Sequence, residues 1–177
     1  MTDRCTKAGI SCYTVYDDIG DDDMISLSPH ALNHLVDDAI ARVNKIDLSV
    51  IKQKLINKEH GSGWCNERAE EAEKLYRYFL ALQCVYAKSE SPVVPPKIAD
   101  EFWHQHILDT RKYETDCYFL FGKFLHHFPY FGMRGPDDAR ALDKAGEWTF
   151  SLFKKHFGRD VQAGSICAGS CSSCKAW

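Results

Sequence analysis

The stretch from Asn66 to Tyr86, NERAEEAEKLYRYFLALQCVY, decides the fold class. Ala72, Leu75, Phe79, Leu82 and Tyr86 recur at steps of three and four residues, which lines them along one face of an α-helix. Glu67, Glu70 and Glu71 fall in its first turns, beside the positive end of the helix dipole. His60-Gly61-Ser62-Gly63 separates this helix from what precedes it.

Helical signals continue on both sides. Upstream, Ser28-Pro29 reads as a cap with a first-position proline, followed by Leu32, Leu35, Val36, Ala39, Ile40 and Val43 at helical spacing. Asp47 can cap a short second helix with Ile51, Leu55 and Ile56 on its apolar face. Downstream, Ser91-Pro92-Val93-Val94-Pro95-Pro96 cannot be helical and predicts an extended connector. A fourth helix is expected from about Lys97 to Leu108, and a fifth, capped by Asp109 or Thr110, to about His127. Phe128-Pro129-Tyr130-Phe131-Gly132 ends it in an aromatic loop. Pro136 with Asp137 and Asp138 opens a last helix carrying Ala141, Leu142, Ala145, Trp148, Leu152 and Phe153. No stretch alternates as a strand does. The expected fold is all-α, an irregular bundle of five to six helices over residues 28–157. Flanking it are an acidic flexible arm, 1–27, and a flexible Gly/Ser/Cys tail, 158–177.

Composition narrows the function classes. The chain has 177 residues, 45% of them apolar, and a net charge of −3. That balance argues against a nucleic-acid binder, and no apolar run is long enough for a membrane span. The first fifteen residues lack a basic segment followed by an apolar one, so a cytoplasmic location is expected. Most of the net charge sits in the arm, where Asp17-Asp18-Ile19-Gly20-Asp21-Asp22-Asp23 lacks the alternating ligands of a calcium loop. In a reducing compartment the eight cysteines point to metal or redox chemistry before disulfides. Cys84 and Cys117, in apolar helical stretches, are expected to be buried thiols.

The chemistry-bearing stretch is Asp100-Glu101-Phe102-Trp103-His104-Gln105-His106, continuing to Tyr113, Cys117 and His126-His127. On a helix, His104 and His106 stand about 200° apart and cannot simply pinch one ion. Ile98, Phe102, His106, Ala99, Trp103 and Ile107 share one half of the fourth helix, so His106 is expected inward. His104 lies off that half, one turn beyond Asp100. On the fifth helix Tyr113, Cys117, Leu120, Phe124 and His127 form a stripe that turns His127 inward. Asp100, His104, His106, Cys117 and His127 are therefore candidate ligands for one zinc, iron or copper ion. Trp103 and Tyr113 would support them, and Asp100 could instead fix the tautomer of His104. Two other classes stay open. One is an interaction or scaffold module with a structural His/Trp/Tyr network. The other is a carrier or precursor whose tail thiols Cys167, Cys171 and Cys174 are modified. Their Cys-x3-Cys-x2-Cys spacing matches a radical-SAM cluster motif but lacks the barrel context. The partner would be a protein or a small molecule, with neither nucleic acid nor membrane involved.

The string PPKIADEFWHQHILDTRKYETDC, followed by FGKFLHHFPYFG, resembles the core of the glycine-rich domain-containing protein family. That family pattern falls here on Pro95, Pro96, Asp100, Trp103, His104, His106, Tyr113, Asp116 and Cys117. The resemblance covers roughly residues 28 to 135 and implies a shared fold and a shared polar cluster, without a reaction.

Overall fold

The computed structural model describes residues 28–161. Six helices run in chain order: α1 Pro29–Val43, α2 Ser49–Ile56, α3 Asn66–Tyr86, α4 Lys97–Leu108, α5 Thr110–Phe121 and α6 Pro136–Phe157. The described residues contain no strand, and the architecture is the irregular all-α bundle that the periodicity predicts. Among the described residues no helix is long and apolar enough to cross a membrane. The arm at residues 1–27 and the thiols Cys167, Cys171 and Cys174 lie outside the described residues.

Helix α3 is the axis, in contact with α1, α2 and α4, and α6 meets it at Tyr78 and Tyr86. Its first turns show the single apolar stripe of the sequence. From Phe79 to Leu82 every residue is buried, because neighbours cover the helix all round. Arg77 extends from α3 to the end of α1, where its guanidinium donates to the carbonyls of Val43 (2.8 Å) and Ile46 (3.3 Å). The Val43 carbonyl, at the end of α1, also accepts from Ile46 N at 3.3 Å, and the cation suits its second lone pair and the dipole. Arg42 does the same at longer range, donating to the Leu120 carbonyl at 3.2 Å.

Local signals place most helix ends. Ser28 Oγ accepts from Ala31 N and Asp109 Oδ1 from Lys112 N; at α2 the cap position is Leu48 rather than the expected Asp47, which accepts from Ser49 N from one residue further out. The connector before α4 is pinned from two sides. Gln83 Nε2 donates to the Val93 carbonyl, and Val94 N donates to Thr149 Oγ1 on α6, both at 2.9 Å. Before α6, Asp138 accepts from Gly132 N and Arg134 N, and the Arg134 guanidinium holds its carboxyl down at about 2.

One element departs from the expectation. α5 stops at Phe121, about six residues short of His127. Gly122 takes a left-handed conformation (φ 67°) and returns its N–H to the Tyr118 carbonyl at 3.0 Å. A glycine there ends a helix at no steric cost, which the continuing apolar spacing of Phe124 and His127 conceals. The chain then turns back along α4 instead of extending away from it. A smaller difference lies on α6, where Ala141 is exposed.

Candidate metal centre

α4 starts directly after Pro95-Pro96, and Asp100 sits in its first turn, where the helix dipole favours a carboxylate. His104 follows one turn later on the same side, its Nε2 3.6 Å from Asp100 Oδ2. The third donor arrives from the segment after α5. Tyr113 anchors that segment by donating its hydroxyl to the Leu125 carbonyl at 2.6 Å. The same hydroxyl accepts from Trp103 Nε1 at 2.9 Å. His127 rests against the Trp103 ring, centroids 4.5 Å apart. This puts its Nε2 3.0 Å from His104 Nε2 and 3.2 Å from Asp100 Oδ1. All three donors lie within 4.8 Å of one another.

Exposure grades across the group. The side chain of His104 is 48% exposed, that of Asp100 32% and that of His127 17%, so the cluster opens to solvent on the His104 side. Two imidazole nitrogens and a carboxylate converge with few protons to share. One N–H can bridge the two imidazoles only if the other nitrogen is bare. A cation satisfies all three lone pairs at once.

His106 and Cys117 do not join this group. The helical phasing sends His106 inward, and the residue is 1% exposed. Its Nδ1 lies 2.9 Å from the Tyr76 hydroxyl. Its Nε2 faces Asp116 Oδ2 at 3.0 Å, an ion-pair distance without the alignment of a hydrogen bond. Burial works against ionisation of Asp116, but His106 and Lys112 outweigh it and hold the carboxyl below its usual range. Cys117 lies on the inner face of α5 close to Tyr113, and burial pushes its thiol up, away from the thiolate a metal needs. Burial, with Cys117 beside it, also keeps the Tyr113 phenol protonated. Trp103 packs against the His127 ring, and Tyr113 holds the Leu125 carbonyl two residues before it.

Tyr76 was absent from the expected site, and so was Asp116 as the partner of His106. Asp116 had a local signal, its i, i+4 spacing from Lys112, whose ammonium it meets at 2.9 Å. Tyr76 had none, since an aromatic residue on an apolar helix face gives no sign of which polar group its hydroxyl meets.

No curated protein and no solved structure matches the chain. The model of the UCP032817-like family matches residues 40–152, a span that contains all the residues of the centre. This corrects the resemblance drawn from the Trp-His-x-His string: the string lies inside the matched span and does not single out a family with a glycine-rich segment. The chain belongs to the UCP032817-like family.

Proposed function

We propose that this protein binds one divalent transition-metal ion on Asp100, His104 and His127. The convergence of their donor atoms, from two separate segments, carries this reading. Zinc bonds of about 2.0–2.1 Å at tetrahedral angles set neighbouring donors about 3.3 Å apart. The two imidazole nitrogens stand 3.0 Å apart, and the carboxylate presents Oδ1 3.2 Å from His127 and Oδ2 3.6 Å from His104, each near that value. Two histidines and one carboxylate suit zinc or iron(II), and the absence of a thiolate from the set disfavours copper(I). Three protein ligands leave at least one position for water or substrate, the pattern of catalytic rather than structural sites. An ion there would supply a Lewis acid for a substrate oxygen or a bound water. The reading assumes a reducing, cytoplasmic setting in which Cys117 stays a thiol.

A second reading follows from the 3.0 Å approach of the two imidazoles, which a shared proton could hold without an ion. Thermal unfolding of untagged full-length protein separates the two. The tail thiols are removed by Cys167→Ser, Cys171→Ser and Cys174→Ser. Stoichiometric zinc or iron(II) should raise the transition temperature, and His104→Ala or His127→Ala should abolish the shift. A shift that survives both substitutions, or no shift at all, rejects the metal reading.

A further inference from the structure

Beside the centre runs a groove of about 610 Å³, within the ~300–1,000 Å³ range of small-molecule sites. Asp100 and His127 belong to both, so anything seated in the groove lies against two of the three donors. The rest of its wall is mainly apolar: Pro95 and Val93 on the connector side, Leu125 and Phe131 on the return segment, Leu142 from α6. These walls are held in place beforehand. The connector is tied to α3 and α6 through Gln83 and Thr149, and the opposite loop to Asp138 through Gly132 N. A site that needs no ordering on binding keeps more of its interaction energy as affinity.

The polar groups of the groove are unevenly committed. The Gln83 amide is used by the Val93 carbonyl, and the Asp100 carboxylate by the two imidazoles. Lys97, one turn before Asp100, lines the groove and makes no ion pair among the described residues. Once a divalent ion offsets Asp100, the groove holds net positive charge at one end of an apolar trough.

We propose that this groove is the substrate site of the metal centre and takes a small aromatic monoanion, a carboxylate in the first instance. Its flat body lies against Phe131 and the prolines, and its anionic group lies between Lys97 and the metal. The inference deepens the metal-binding reading and rests on it for the orientation of the anion.

The test uses 2-naphthoate and its neutral analogue 2-naphthamide, titrated calorimetrically into the tail-serine protein, zinc-loaded and chelator-treated. Naphthoate should bind the zinc-loaded protein at least about tenfold tighter than naphthamide, as a charge-assisted contact warrants. Zinc removal should weaken naphthoate, and naphthoate should tighten zinc by the same factor. Lys97→Gln should cost naphthoate about tenfold while leaving naphthamide and zinc affinity unchanged. Leu142→Trp, folded by circular dichroism, should exclude both ligands. Zinc binding without naphthoate binding, equal affinity for acid and amide, or indifference to Lys97→Gln overturns this inference and leaves the metal reading standing. Lys97-dependent naphthoate binding in a protein that takes no zinc overturns the metal reading and the claim that the groove serves a metal centre, and leaves an anion site alone.

Discussion

Replacing His106 by alanine should destabilise the protein far more than replacing His104, two residues away. The His106 imidazole is 1% exposed and spans Tyr76 and Asp116. Its loss strands the buried Tyr76 hydroxyl, which costs about 1–3 kcal/mol. It also leaves Asp116 with Lys112 alone and opens a ring-sized cavity, and large-to-small core changes run to several kcal/mol. The terms overlap, so the expected total is about 3–5 kcal/mol, the range for large core truncations. With a urea m-value of about 2 kcal/mol/M, the unfolding midpoint should fall by about 1.5–2.5 M. His106→Gln, able to keep one of the bonds, should fall between. In chelator-treated protein, where no ion is lost with it, His104→Ala touches a half-exposed side chain and should stay within about 0.5 kcal/mol. Urea titrations followed by far-UV circular dichroism measure all three variants. Small and equal effects at the two positions would refute the helical phasing and the buried network together.

Other consequences can be checked on the same protein. Tyr113→Phe removes the donor to the Leu125 carbonyl and the acceptor for Trp103 Nε1, so it should cost about 1–3 kcal/mol and weaken zinc binding measured by calorimetry. Gly122→Ala places a Cβ on a left-handed residue, so it should lower the thermal stability by about 1 kcal/mol; an unchanged transition would mean that α5 does not end there. His156, mainly through burial and also through Lys155, is held neutral down to about 4, below its ordinary 6.5. The unfolded chain therefore binds the extra proton first, and stability present above about 6.5 is lost as the pH falls toward 4. His156→Gln, which can still meet the Tyr86 hydroxyl, should flatten that slope in pH-dependent denaturation, by about 1–2 kcal/mol after allowance for solvent screening.

The bundle was legible because its helices are amphipathic and capped by local residues. Ser28, Asp109 and Pro136 mark starts that depend on neighbours three or four positions away, and Ala72, Leu75 and Phe79 mark a buried face. The separation of His104 from His106 was legible for the same reason. The end of α5 was not. Phe124 and His127 continue the spacing of Tyr113, Cys117 and Leu120, and periodicity alone cannot register a left-handed glycine among them. Gly122 could have been taken as a helix stop. That single residue decides whether His127 lies far along α5 or returns to Asp100. The buried pairing of His106 with Tyr76 and Asp116 depends on the packing of α3 and α5 around α4, which no local pattern encodes. The Trp-His-x-His string lies within residues 40–152 of the UCP032817-like match and does not by itself distinguish that family.

Metal analysis of the purified protein tests the central claim most directly. Untagged full-length protein carrying the three tail serines is prepared without chelator, and zinc, iron and copper are measured per chain by elemental analysis. The account predicts about one zinc or iron per chain, falling to background in His104→Ala and His127→Ala and retained in His106→Gln. Background metal in the parent protein, before and after incubation with zinc and iron(II), would contradict it, as would a stoichiometric ion that persists when both site histidines are gone.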